Sequence, residues 1–265
     1  MTTMTMNYRL SHAAVDKGLV YDNNFEMYTW RRYLWRREQA ALKQIINEFL
    51  PEKQIDHLDF ACGTGRILGA LKPFAHTSVG VDVSSSMLEQ CRKKNPDAEI
   101  YQADLTCNNT LAGRQFNLIT AFRFFPNAEP ALRHDALDAM AWHLEPDGIL
   151  VFNNHKNASS VFYQLSQKLG RHCHTMHNRE INTLLDRIGF EIVKVFGFGA
   201  LPANDRHTFC IPSGIHLLAD WCVNGFGFAR TLCQDTIFVC RKKSADRVLP
   251  DCSGIQNEDS EMLFI

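Results

Sequence analysis

The chain has no strong charge of either sign: 28 lysines and arginines stand against 29 aspartates and glutamates, a formal net charge of −1 over 265 residues. A balance of this kind casts no global field toward nucleic acid and leaves at most a local basic face for such a partner. No apolar run approaches the ~20 residues a bilayer-spanning helix needs, so no membrane span is expected. The opening stretch, Met1-Thr2-Thr3-Met4-Thr5-Met6, has neither the basic start nor the apolar centre of a secretory signal. Nine cysteines make an odd count, and none sit in paired short spacings, which argues against zinc ribbons and a disulfide framework. Several, such as Cys240 in an apolar run, read as small buried residues, and the expected location is the reducing cytoplasm.

What is present is an ordinary globular composition, 45% hydrophobic and 22% charged, on a chain long enough for one core with additions. It is organised around His57-Leu58-Asp59-Phe60-Ala61-Cys62-Gly63-Thr64-Gly65-Arg66. An apolar strand runs into glycines that accept positive φ, and a helical pattern resumes at Ile67, Leu68 and Leu71. Such a loop presents backbone N–H groups and a positive helix end to a polar ligand. A second β-branched run, Ser78 to Val83, carries Asp82 about 20 residues beyond the loop, where a parallel strand delivers an acid to a ribose diol. Asp59, ending the first strand, would repel a pyrophosphate but suits a ligand with an amino-acid ammonium and no phosphate.

At these residues the chain resembles the class I S-adenosylmethionine-dependent methyltransferases, well over residues 50–155 and in outline beyond. The resemblance implies a doubly wound, Rossmann-like α/β fold with a seven-stranded sheet, mostly parallel with the last strand antiparallel, and S-adenosyl-L-methionine as cofactor. Asp59, Ala61, Gly63 and Gly65 look like the family's glycine motif, with Ala61 where many members carry a third glycine. Asp82, with Val83 beside it, looks like the ribose acid; Asp104 and Leu105 look like the adenine step, although an N-cap role for Asp104 is the alternative. Met87 is expected against adenine or in the core at a helix start, and Phe122 at the fourth strand end completes the cofactor set.

Along the chain, residues 1–50 read as an N-terminal helical lid, 51–243 as the cofactor-binding domain and 244–265 as a flexible tail. Between Met27 and Leu50, Tyr33, Leu34, Ala41, Leu42, Ile45 and Ile46 recur at helical spacing. Tyr21, Phe25, Tyr28 and Trp30, followed by Arg31, Arg32, Arg36 and Arg37, read either as a lid over the site or as aromatic docking beside a solvated basic face. Strands are expected at 98–103, 116–122, 149–152, 191–196 and 236–240, a helix over 131–144, a turn at Glu145-Pro146-Asp147-Gly148 and two helices within 158–188, where Leu165, Leu169 and Ile181 are among the core positions. His172, His174 and His177 suggest a metal site less well than a surface turn, because His172 and His174 would face different ways. The long insertion 197–235, with Pro202, Pro212, Ile215, Leu217, Leu218, Trp221, Phe226 and Phe228, reads as a helix with an apolar face that serves the substrate pocket, a fold extension or a dimer contact.

Chemistry is expected where the fourth and fifth strands end. After Phe122 comes Arg123-Phe124-Phe125-Pro126, where nucleobase N-methyltransferases usually carry Asn/Asp-Pro-Pro-Tyr/Phe, and no carboxylate pair stands ready for magnesium. No metal is therefore expected. Arg123 and His155 are the candidate catalytic residues, His155 as a base arriving with Asn153, Asn154 and Asn157, which alternatively only bond turn backbone. The implied reaction is metal-independent, in-line methyl transfer to an O, N or C atom of a small metabolite, lipid precursor or glycan, by a monomer or homodimer. An RNA-modifying enzyme and a non-catalytic cofactor-binding regulator are the competing readings.

Overall fold

The computed structural model describes residues 27–108, 110–160, 163–164, 175–201, 212–227 and 229–243. Tyr21, Phe25, Leu165, Leu169, His172, His174, Pro202, Phe228 and the tail from 244 lie outside the described residues. The elements in order are α1 (Thr29–Phe49), β1 (Ile55–Phe60), α2 (Arg66–Leu71), β2 (Ala75–Asp82), α3 (Ser85–Lys94), β3 (Glu99–Gln102), β4 (Phe116–Ala121) and α4 (Pro130–His143). They continue with β5 (Leu144–Asn154), α5 (Asn178–Arg187), β6 (Phe190–Phe198), α6 (Ser213–Gly225), a 3-10 turn (Ala229–Leu232) and β7 (Asp235–Lys242).

One seven-stranded sheet takes the order β3-β2-β1-β4-β5-β7-β6. All pairings are parallel except those of β7, which runs antiparallel between β5 and β6. The strand order reverses between β1 and β4, the switch point where open α/β sheets take ligands beyond their carboxyl ends. Interior strands are covered on both faces, so β1, β4 and β7 bury nearly every residue instead of alternating. Leu58, Ile119, Leu150 and Phe152 pack against α4 and α5 through Leu137, Met140, Ile181 and Leu185 on one face. Ile55, Leu118, Ile149 and Val239 pack against α1 through Leu34, Leu42, Ile45 and Ile46 on the other.

One expectation needs correction. The stretch Glu145–Gly148 is not a turn ahead of a separate strand: Leu144 already pairs with Phe116, and pairing resumes at Leu118 with Ile149. Four residues therefore bulge opposite Asn117, and the bulge needs Gly148, where a Cβ would stand 2.8 Å from Leu144 Cδ1. On α6, polar residues and not the apolar ones face inward. Ile215, Leu217, Leu218 and Trp221 are exposed, Trp221 at 73%, while His216 and Asp220 are buried. The reason is hydrogen bonding: Asp220 accepts from the backbone N–H groups of Gly199 and Ala200 and from the Tyr33 hydroxyl, so the carboxylate must face inward. Phe226 is exposed as well.

α1 begins with docking contacts. Trp30 is buried, stacks on Tyr33 at 5.3 Å and meets His216 at 5.4 Å. The arginines divide between faces: Arg32 and Arg36 are exposed, Arg37 lies over the Phe198 ring at 5.3 Å, and Arg31 lies over Tyr28 at 5.8 Å.

Candidate active site

The loop after β1 is built from strained backbone. Ala61, Gly63 and Gly65 have φ of 55°, 55° and 77°, so a residue with a Cβ pays for its place at Ala61 where glycine would not. Gly65 is also pressed from outside, because an added Cβ would stand 2.4 Å from Asn95 Nδ2 and 2.6 Å from Cys91 Sγ. Asn95 Nδ2 in turn donates to the carbonyls of Gly65 and Cys91, tying the loop to the end of α3. Gly65→Ala is expected to lower stability by about 2–4 kcal/mol through left-handed strain and overpacking; an unchanged urea midpoint would refute this account of the loop.

Asp82, at the end of β2, receives the Gly63 N–H at 2.9 Å and the Ser84 N–H at 2.8 Å, one on each carboxylate oxygen. Those bonds lock the glycine loop to the acid. Ser84 caps α3 by accepting the Met87 N–H, and Met87 is buried. A crevice open to solvent lies beyond these strand ends. It brings together five of the expected cofactor residues, Ala61, Asp82, Val83, Asp104 and Leu105. Phe60, Phe124 and Leu132 add apolar walls, with Phe60 and Phe124 edge to face at 5.3 Å. Phe122 is buried in the core beneath α1 and does not line this crevice. Asp104 also does local work, accepting from Thr106 N–H at 3.0 Å and Thr106 Oγ1 at 2.6 Å.

Asp59 is buried, and desolvation, reinforced by Asp82, pushes its carboxyl up to about 7. Thr120 Oγ1 donates to Asp59 Oδ1 at 2.7 Å, whereas Asp59 Oδ2 is buried with no partner. His57 Nε2 lies 2.8 Å from Thr120 Oγ1. With Asp59 ionised the threonine proton points at it, so His57 carries its own proton on Nε2; burial lowers the pKa of that ring to about 3, keeping it neutral. The site therefore holds a buried carboxylate oxygen in need of a cation and, in Asp82, a second acid already braced by backbone amides. That donor set fits a ligand with an ammonium and a ribose diol, and it disfavours a phosphate.

Beside it, under α1, runs a buried ionic column that sequence reading missed. Glu38, fully buried, accepts from Arg123 Nη2 at 3.1 Å and faces Arg66 Nη2 at 3.6 Å. Asn153 Oδ1 accepts the Arg123 N–H at 2.6 Å, and Asn153 Nδ2 approaches Asp235 Oδ1 at 3.3 Å. Arg123 also faces Asp235 at 4.0 Å, and its backbone sits at φ 61°, a left-handed value held by these bonds. Arg123 is thus clamped among buried acids. The signal for Glu38 was present in the pattern: it falls in the same helical stripe as Leu34, Ala41, Leu42 and Ile45, a charge on an apolar face.

His155 follows β5 and is half-buried, with its Nδ1 buried and unpartnered. Burial, then Arg123, Lys156, Arg31 and Arg66, hold its pKa well below the usual imidazole range, so the ring is neutral at physiological pH. Its companions serve backbone: Asn154 Nδ2 donates to Met176 O, and Asn157 Nδ2 to Thr231 O and Cys233 O. Among the described residues no group of three or more His, Cys, Asp or Glu is placed to hold a metal, and no helix is long and apolar enough to cross a membrane.

The chain is similar to known proteins. A family model described as a methyltransferase domain matches residues 34–195. The dTDP-3-amino-3,6-dideoxy-alpha-D-glucopyranose N,N-dimethyltransferase of Streptomyces fradiae is 34% identical over 119 residues, 44% of this chain and 46% of that protein. The dTDP-3-amino-3,4,6-trideoxy-alpha-D-glucopyranose N,N-dimethyltransferase of Streptomyces venezuelae is 32% identical over 142 residues, 52% of this chain and 56% of that one. The chain spans about half the length of the curated relatives it matches. The structure of N-methyltransferase NodS from Bradyrhizobium japonicum WM9, in complex with S-adenosyl-L-homocysteine, is similar in fold, with a TM-score of 0.57 at 16% identity, covering 90% of this chain and 100% of that one. With the glycine loop, the acids and the sheet order in agreement with that match, the chain belongs to the class I S-adenosylmethionine-dependent methyltransferase family.

Proposed function

We propose that this chain methylates an amine of a small sugar-type acceptor, using S-adenosylmethionine without a metal ion. The observations that support the reading are the buried Asp59 Oδ2 without a partner together with the crevice acids Asp82 and Asp104, which suit the cofactor, and the amino-sugar N,N-dimethyltransferase names of two curated relatives, which suit an amine acceptor. Asp59 would hold the cofactor's ammonium and Asp82 its ribose diol, with Ala61, Gly63, Gly65, Val83, Met87, Asp104 and Leu105 as the remaining assignments; Phe122, buried beneath α1, is left out of the set. When bound, the cofactor supplies a methyl group already activated on a sulfonium. What the chain adds is alignment and exclusion of water, effects worth roughly 7–11 kcal/mol when geometry is well held.

An acceptor amine beside Arg31, Arg66, Arg123 and Lys156 is disfavoured as an ammonium for the same reason His155 is, so its lone pair stays available. His155, held neutral, can orient the acceptor amine, and the proton that the methylated amine releases goes to solvent, since a ring held so far below the usual imidazole range is too weak a base to keep it. Arg123 acts by holding the column in place. The names of the curated relatives favour N over O as the acceptor atom. We assign 1–50 as the lid segment, 51–243 as the catalytic domain and 197–235 as an insertion bordering the acceptor site.

The test incubates the protein and methyl-labelled cofactor, in excess chelator, with dTDP-3-amino-3,6-dideoxyglucose and with its 3-hydroxy counterpart. Label in the amino sugar, as one or two added methyl groups by mass, is expected. Label only in the hydroxy compound, or transfer only after magnesium is restored, would contradict the proposal.

A further inference from the structure

Three polar side chains sit where the sheet face beneath α1 calls for aliphatic ones. Ile55, His57 and Asp59 share one face of β1, and Leu118 and Thr120 share one face of β4, with His57 opposite Leu118 and Asp59 opposite Thr120 in the parallel register. Ile55 and Leu118 join the core against α1. His57, Asp59 and Thr120 are as fully buried and interrupt that core with three groups that water would otherwise solvate. Such groups are costly in an interior unless they bond one another.

Their hydrogen bonds run in one direction. Thr120 Oγ1 gives its single proton to Asp59 Oδ1 at 2.7 Å and lies 2.8 Å from His57 Nε2, from which it accepts. His57 Nδ1, at the far end of the chain, is buried and has no partner, as suits the ring nitrogen without a proton. Both protons of the chain therefore point toward Asp59, and bonds in series strengthen one another in a dry interior. Oδ1 is the oxygen they hold, while Oδ2 of the same carboxyl is buried with no partner. The charged groups acting on this carboxyl are Asp82 from β2 and Arg66 from α2, in opposite senses.

We propose that Thr120 and His57 are positioning residues, which keep Asp59 a carboxylate and commit its Oδ1 to the sheet so that Oδ2 is left for the ammonium at the cofactor's amino-acid end. The inference rests on the methyltransferase reading and deepens it, because it makes the grip on that end depend on a bond between two central strands. A donor to the charged form favours that form, whereas burial works against it and raises the Asp59 carboxyl to about 7. Without the threonine donor the value rises further, and binding near neutral pH must then expel a proton.

The test is calorimetric titration of the full chain, from pH 5 to pH 9, with S-adenosylhomocysteine and with 5′-methylthioadenosine, which keeps the adenosine and the thioether but has no amino-acid end. Thr120→Val is expected to move the pH at which S-adenosylhomocysteine affinity levels off upward by about one unit and to weaken that ligand about tenfold at pH 6, with 5′-methylthioadenosine affinity unchanged. Thr120→Ser should restore the parent profile. His57→Phe, which fills similar space and leaves Thr120 its bond to Asp59, should shift the profile the same way by less, and it decides the matter if the valine variant does not fold. A profile unmoved in these variants, or an equal loss of both ligands, would overturn the positioning role. A parent chain that binds neither ligand would overturn the methyltransferase reading, and the positioning role with it.

Discussion

Asp82→Ala is expected to lower affinity for S-adenosylmethionine by more than about 100-fold, measured by calorimetry. Two ribose hydroxyls donating to one carboxylate are each worth about 1.5–3 kcal/mol, and the substitution removes both acceptors. The same carboxylate receives the Gly63 and Ser84 N–H groups, so its loss also frees the glycine loop from β2. Asp82→Asn keeps the side chain's size and one carbonyl acceptor and should fall between parent and alanine variant. Affinity unchanged in Asp82→Ala would remove the ribose assignment.

Cofactor affinity is expected to climb with pH and to level off near neutrality. Desolvation, with help from Asp82, raises the Asp59 carboxyl to about 7 in the ligand-free protein. A bound ammonium favours the carboxylate, so below that value binding must expel a proton, at a cost approaching tenfold in affinity per pH unit. Between pH 5 and pH 7 the dissociation constant should fall by up to about 100-fold. His57, lowered to about 3, does not titrate in this window. Asp59→Asn should flatten the profile and leave it weak throughout; a profile as steep as the parent's would contradict the assignment.

The stability of the empty protein should run the other way. Because the folded-state value lies above the 3.8 of a free aspartate, the Asp59 contribution is fully present below about pH 4 and is lost as pH rises through about 7. Thr120 moderates the shift by donating to Asp59 Oδ1.

The sheet and the cofactor crevice were legible because their signals are local. The strand before Gly63, the acid after Val81 and the Ser84 cap each declare themselves within about ten residues, and parallel β-α connections leave few ways to order the strands. The ionic column was not legible as a unit. Glu38, Arg66, Arg123, Asn153 and Asp235 come from five segments, and only folding brings them together. Glu38 alone gave a hint, as a charge in an apolar stripe.

The orientation of α6 was not legible from its apolar pattern. The hydrogen-bond demands of Gly199, Ala200 and Tyr33 on Asp220 decide which side turns inward, because a buried carboxylate with three donors outweighs the burial of partly exposable side chains. The turn at Glu145–Gly148 likewise carried the right residues, but Leu144 pairs with Phe116 before it and makes it a bulge.

The most direct measurement is a crystal structure of the chain grown with S-adenosylhomocysteine. The ribose should lie on Asp82, the adenine in the crevice edged by Val83, Asp104 and Leu105, and the amino group within hydrogen-bond distance of Asp59 Oδ2. An empty crevice, or a nucleotide whose phosphates sit against Gly63 and Gly65, would contradict the account.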